Sequence, residues 1–159
     1  MTNCIAATGI GDEGGFAPPI TTPQQALDLL EEAVDKAGHG GHICFAIDPA
    51  SSEFFGANRT YDLGFKDKEA SNVYSSQRLQ ELYISVLSRY PVTLLEDPFA
   101  EDDWLSWKEF QKLCKVELVG DDLLVTNKER IRMAKEKGAC NSLLLKMNQI
   151  GSVSETIEA

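Results

Sequence analysis

Three carboxylates and one ammonium each stand one step beyond a short apolar run. Asp48 follows Ile43-Cys44-Phe45-Ala46-Ile47, Glu96 follows Val92-Thr93-Leu94-Leu95, Asp121 follows Val116-Glu117-Leu118-Val119-Gly120, and Lys146 follows Ser142-Leu143-Leu144-Leu145. Carboxylate oxygens are hard donors suited to Mg²⁺. Carboxylates favour the charged form of a neighbouring lysine, whereas burial and a metal ion disfavour it. A lysine so placed can titrate low enough to act as a proton-abstracting base. The set therefore reads as metal-assisted acid–base chemistry.

Each residue also has a plainer reading. Asp48, before Pro49, can cap the next turn. Glu96 opens an acidic stretch, Glu96–Asp103, that suits a solvated loop, and Asp121-Asp122 shares that ambiguity. Lys146 can be one half of a structural ion pair. Their common position favours the metal reading, and Glu96 and Asp121 stand 25 residues apart, one strand–helix repeat. Glu13 lies between Asp12 and Gly14-Gly15, where glycines let backbone approach a ligand and a held carboxyl can serve as a general acid. A Gly-rich turn with solvated acids is the alternative there. No Lys-Ser/Thr follows, so it is not a phosphate loop. His39 and His42 flank Gly40-Gly41 ahead of a strand and read as surface or capping residues.

The elements that position these groups alternate. A first helix opens with Thr22 as cap, Pro23 in the first turn and Gln25 three residues on. Ala26, Leu27, Leu30, Ala33, Val34 and Ala37 give it one apolar face, and Gly38 stops it. Strand 43–48 follows, with a short excursion strand at Thr60–Leu63. A helix from Ser76 to Tyr90 leads to strand 92–96. A third helix is capped by Asp102-Asp103 and buries Trp104, Trp107, Phe110 and Cys114. Strand 116–121, a helix at Lys128–Lys137 capped by Thr126-Asn127, strand 142–146 and the start of a fifth helix complete the order.

Strand and helix alternate four times, and the strands are apolar enough to be buried on both faces. The fold class is α/β. Functional side chains at four successive strand ends favour a partial (β/α)8 TIM-like barrel, whose chemistry sits at the carboxyl ends of its strands. An open doubly wound sheet, the alternative, gathers its ligand at one switch point. A complete barrel needs eight strands and about 250 residues, so residues 1–159 are expected to be an incomplete barrel domain.

The chain of 159 residues carries 25 acids against 15 bases, a net charge of −10, which argues against nucleic acid and gives a membrane surface no reason to attract it. No apolar stretch approaches the 18 or so residues that span a bilayer. The N-terminus lacks the charged start and long apolar run of a signal peptide. Cys4, Cys44, Cys114 and Cys140 are scattered, without a Cys-x-x-Cys pair, and read as buried reduced thiols in a reducing cytosol.

Five stretches in order and at characteristic spacing, GDEGGFAP (Gly11–Pro18), DPASSEFF (Asp48–Phe55), LEDPFAEDDW (Leu95–Trp104), VGDDLLVTN (Val119–Asn127) and LLLKMNQIG (Leu143–Gly151), resemble the enolases, the phosphopyruvate hydratases. The resemblance implies a cytoplasmic lyase of glycolysis that converts 2-phosphoglycerate to phosphoenolpyruvate and water. Asp48, Glu96 and Asp121 would hold Mg²⁺, with Glu96 and Asp121 also against the substrate. Lys146 would remove the C2 proton, and Glu13 would help the C3 hydroxyl leave. A Lys or His base with one or two Mg²⁺ ions is the superfamily's general pattern. The resemblance further implies that 1–159 is the central part of the C-terminal barrel domain. Absent would be the N-terminal capping domain, the last barrel strands, a Ser-His-Arg-Ser loop and a second active-site lysine. A homodimer is expected of the full-length enzyme, and the isolated chain is expected to be inactive. A truncated, non-catalytic Mg²⁺-binding or interaction polypeptide stands as the alternative.

Overall fold

A computed structural model describes residues 9–11, 13–64 and 72–159. The chain forms two compact units, residues up to Ile43 and residues from Cys44 onward. Cys4 lies outside the described residues.

In the first unit, helix α1 (Pro23–Lys36) begins with the capping box that its sequence implies. The Thr22 hydroxyl accepts the Gln25 N–H at 3.3 Å, and the Gln25 side chain accepts the Thr22 N–H at 3.3 Å. Gly38 adopts φ 75° just past the helix, where a side chain would be strained. The expected apolar face is not buried: only Leu27 is, and Leu30 stays 49% exposed. The described part of this unit holds no second helix to cover that face. The Gly-rich segment forms a tight turn closed by the Ile10–Phe16 bridge, with Gly14 at φ 84° and its N–H donating to Gly11 O.

The second unit carries β1 (Phe45–Ile47), a 3₁₀ turn (Ser51–Phe54), the hairpin β2 (Tyr61–Asp62) and β3 (Val73–Tyr74), then α2 (Ser76–Arg89) and β4 (Val92–Glu96). It continues with α3 (Trp104–Gln111), β5 (Glu117–Gly120), α4 (Lys128–Lys137), β6 (Ser142–Leu143), α5 (Met147–Ile150) and α6 (Val153–Glu158). One sheet runs in the order β1-β4-β5-β6, every pair parallel. Each strand thus lies beside the next one added. A doubly wound sheet would reverse its order at a switch point, so the arrangement is an arc of a barrel wall.

Register decides which side chains meet the helices. Ile47, Leu95 and Leu118 are aligned neighbours, and Leu143 sits beside Gly120, two residues beyond Leu118. All four apolar residues of this parity belong to or pack on the core, together with Leu79 and Tyr83 of α2, Trp107 and Phe110 of α3, and Ala134 of α4. The alternate residues Ala46, Leu94 and Glu96 turn away from that layer. Ala46 is exposed and Leu94 half-buried, whereas Val119 of the same parity is buried, so the expectation of strands buried on both faces fails at β1 and holds for β5. Asp48 lies two residues beyond Ala46, and Asp121 two beyond Val119, the partner of Glu96. All three carboxylates share the parity that leaves the helix layer.

Phe99 centres the core. Its ring meets Tyr61, Tyr83, Trp107 and Phe110 edge-on, at centroid separations of 5.4 to 6.3 Å. Such T-shaped pairs set the positive edge of one ring against the negative face of another.

Several elements depart from expectation. Asp103 sits at the start of α3 but makes no side-chain cap. Its buried carboxylate instead accepts from Tyr61 at 2.8 Å, Ser76 at 3.0 Å and Ser106 at 2.6 Å, tying the hairpin, α2 and α3 together. Asn127 caps α4 through the Glu129 and Arg130 amides, whereas Thr126 is turned to another task. Strand β6 covers two residues rather than five, because β5 ends at Gly120 and its last bond is Leu144 N–H to Gly120 O at 3.2 Å. The expected fifth helix is two short ones. Cys44 is exposed, and Cys114 and Cys140 are only partly buried; all three are free thiols. No described helix is long and apolar enough to cross a membrane.

Gly120 allows the turn after β5 to fold back on itself. A Cβ there would lie 2.8 Å from Leu124 Cγ and 3.2 Å from Leu123 Cβ, both residues buried. Gly120→Ala should cost about 1–3 kcal/mol through overpacking. Urea unfolding reads it as a lower midpoint at unchanged slope, and an unchanged midpoint would refute the tight closure.

Candidate metal and acid–base site

The carboxyl ends of β1, β4 and β5 each open into a loop that begins with acids. At the end of β1, the Asp48 carboxylate accepts the Ala50 N–H at 2.8 Å, so the plainer turn-closing reading is also true. Ala50 takes the left-handed conformation at φ 47°. Ser51 then fastens this loop to the next one. Its N–H donates to Asp97 O at 3.1 Å and its hydroxyl to Pro98 O at 2.9 Å.

Asp97, one of the acids of the Glu96–Asp103 stretch, links the neighbouring loop in turn. It is 2% exposed, with φ 38°, and its carboxylate accepts the amides of Asp121 at 3.1 Å and Asp122 at 2.8 Å. Burial, reinforced by the Asp122 and Asp48 carboxylates and opposed by the two amide bonds, pushes its pKa up to about 7. Burial and Asp121 likewise raise Asp122.

These links gather the acids into two groups. Carboxylate oxygens of Asp48, Glu96 and Asp97 lie within 4.8 Å of one another, and those of Asp97, Asp121 and Asp122 do the same. Asp48 and Glu96 of the expected triad fall in the first group and Asp121 in the second, with Asp97 common to both. Arg130 braces the loops from behind, donating to Leu123 O and Glu101 O, each at 2.5 Å, with its guanidinium 5.0 Å above the Trp104 ring.

Lys146, at the start of α5, donates from Nζ to Asp121 Oδ2. That bond, with the charges of Asp121, Glu96 and Asp122, raises its pKa, and burial only partly opposes the rise. The expectation of a lowered lysine is therefore not met by the carboxylates alone, which hold it protonated. The other Asp121 oxygen, Oδ1, accepts from Gln149 Nε2 at 2.9 Å. Glu13 is exposed in the Gly-rich turn of the first unit.

An all-oxygen, anionic donor set is what Mg²⁺ prefers. Each oxygen of Asp121 and each oxygen of Asp97 has one protein donor and therefore a lone pair to spare. The residues fit such an ion, and Asp97 belongs to both groups that could hold it.

Residues 2–159 match the family described as "Enolase, C-terminal TIM barrel domain". The chain belongs to the enolase family. Its parallel four-stranded wall is part of an enolase barrel, and the acids lie where that fold places its chemistry. Among curated proteins, the chain is 49% identical over 160 residues to "Enolase 2" of Hevea brasiliensis. That alignment covers 96% of this chain and 35% of the Hevea protein, so the chain spans about a third of the length of that enolase.

Asp97, Thr126 and Gln149 were missed for different reasons. Asp97 is one of five acids between Glu96 and Asp103, and nothing local separates a buried carboxylate from its solvated neighbours. Thr126 beside Asn127 looks like a helix cap. Gln149 stands three residues after Lys146 with one helical turn between them, a spacing that could have flagged it.

Proposed function

We propose that this chain carries the metal-holding wall and the proton-abstracting base of a phosphopyruvate hydratase, which dehydrates 2-phosphoglycerate to phosphoenolpyruvate. One observation carries the reading most: Asp48, Glu96 and Asp121 project from neighbouring parallel strand ends, and Lys146 is ion-paired to the last of them. Asp48, Glu96 and Asp121 would hold Mg²⁺, with Glu96 and Asp121 also facing the substrate. Bound there, the cation would neutralise the negative charge that develops on the substrate carboxylate as C2 loses its proton.

Lys146 must give up a proton before it can take one from C2. Its Asp121 partner keeps the amine oriented while it waits. Offsetting the carboxylate charge would bring its pKa down toward that of a working base. Glu13, exposed in a tight glycine turn, would hand a proton to the departing C3 hydroxyl. The same reading carries a cytoplasmic location, a small-molecule substrate and a homodimer of the full-length enzyme.

Two measurements on the 159-residue chain test this. Thermal unfolding should shift upward with Mg²⁺, by about 2.7 kcal/mol at a hundredfold excess over its dissociation constant. Asp121→Asn should blunt the shift, and a midpoint indifferent to Mg²⁺ would sink the metal assignment. Ultraviolet monitoring should detect no phosphoenolpyruvate from this chain alone. Asp48 is exposed and the Lys146 side chain 46% exposed, so water screens the charges that must act on substrate. Measurable turnover would overturn that second expectation.

A further inference from the structure

The turn between Asp121 and α4 contains two consecutive non-glycine residues with left-handed backbone, Val125 at φ 42° and Thr126 at φ 53°. Left-handed backbone is unfavourable for any residue with a Cβ, and most for a β-branched one. Such strain persists only where the surroundings over-determine it, and it often marks a functional constraint. Here it buries Thr126 completely, with the hydroxyl directed at the chain around Lys146.

The hydroxyl serves two partners. It accepts the Lys146 backbone N–H at 2.8 Å, so its own proton goes to Gln149 Oε1 at 3.2 Å. That bond and the acceptor-only Asp121 carboxylate agree on one orientation of the Gln149 carboxamide. With Oε1 committed to Thr126, only the NH₂ group can face Asp121, and Nε2 donates to Asp121 Oδ1 at 2.9 Å. Asp121 Oδ2 is left for Lys146, whose backbone began the sequence of bonds. The ring of contacts closes on itself and fixes the rotation of one carboxylate.

We propose that Gln149 is a positioning residue, polarised by Thr126, that sets the rotation of the Asp121 carboxylate toward its cation and toward Lys146. The cation half of this statement rests on the function proposed above; the orienting half does not. Groups that hydrogen-bond to metal ligands commonly contribute 10- to 100-fold to metal affinity. A buried threonine with a left-handed backbone, serving only a carboxamide and a lysine amide, is a costly arrangement unless that orientation matters.

The test uses the 159-residue chain, with Thr126→Val removing the hydroxyl at equal size, Thr126→Ser retaining it, and Gln149→Leu removing the donor. Without metal, NMR follows the Gln149 side-chain amide and the Asp121 carboxyl carbon. Thr126→Val should move both resonances and Thr126→Ser should restore them. With Mn²⁺ as probe, Thr126→Val and Gln149→Leu should each weaken binding about tenfold, the double variant no further, and Thr126→Ser less than about twofold. Unmoved resonances in Thr126→Val, additive losses, or no rescue by serine would overturn the proposal. If the unaltered chain ignores Mn²⁺ while the resonances respond as stated, the metal reading fails and the orienting role stands. Thermal unfolding of each variant separates local effects from loss of fold.

Discussion

Replacing Lys146 with alanine should abolish exchange of the C2 proton of 2-phosphoglycerate with solvent. The setting is a hybrid enzyme in which this chain replaces the matching third of a full-length enolase. A positioned general base contributes about 10²- to 10⁴-fold, and no second amine in the described ring of contacts can substitute. Mg²⁺ binding should be retained, because the substitution removes a cation from beside Asp121 and deletes no carboxylate. Isotope exchange separates this step from product formation, so a general loss of fold is not mistaken for loss of the base. Exchange that persists in Lys146→Ala would strip this residue of the role. Exchange lost together with Mg²⁺ affinity would point to a structural ion pair instead.

The second large effect is on stability. Phe99→Ala should destabilise the chain by about 3–5 kcal/mol, the range for truncating a buried aromatic. Phe99 has no exposed surface, and four rings pack against it. Domains hold only about 5–15 kcal/mol in total, so the variant should be largely unfolded on mild heating. Phe99→Leu, which keeps much of the volume, should lose far less. Denaturant titration gives both values, and a loss under about 1 kcal/mol for alanine would show that the aromatic cluster is not the keystone of the core. The ring also directly follows Glu96-Asp97-Pro98, so its removal should loosen the loop that carries two of the acids.

Much of this was legible in the residues themselves. The Thr22–Gln25 cap, strand 92–96 and helix 128–137 lie where punctuation and periodicity put them, because local hydrogen bonding and apolar spacing decide such elements. The positions of Asp48, Glu96 and Asp121 at successive strand ends followed from the same alternation, whereas Lys146 stands past the end of β6, at the start of α5. What escaped depends on contacts distant in sequence. Strand β3 is two residues long and exists through its pairing with β2. Asp103 could have capped α3, but Tyr61, more than forty residues earlier, claims its carboxylate. Asp97 differs from its acidic neighbours only because the amides of Asp121 and Asp122 reach it. Helix α1 has an apolar stripe without buried depth, since a stripe states a preference and cannot supply the surface that satisfies it.

The order of strands in the sheet also has a kinetic consequence. Glu96 ends β4 and Asp121 directly follows β5, the two strands joined by one short helical crossover. Asp48 directly follows three-residue β1, which reaches β4 only across the hairpin and α2. Closing a loop of twice the length costs roughly 0.6 kcal/mol more, before any side chain has docked. During refolding, the first arm of the acidic pair of groups should therefore be the last to arrive. In partial opening it should be the first to leave, and amide hydrogens of β1 should exchange sooner than those of β4.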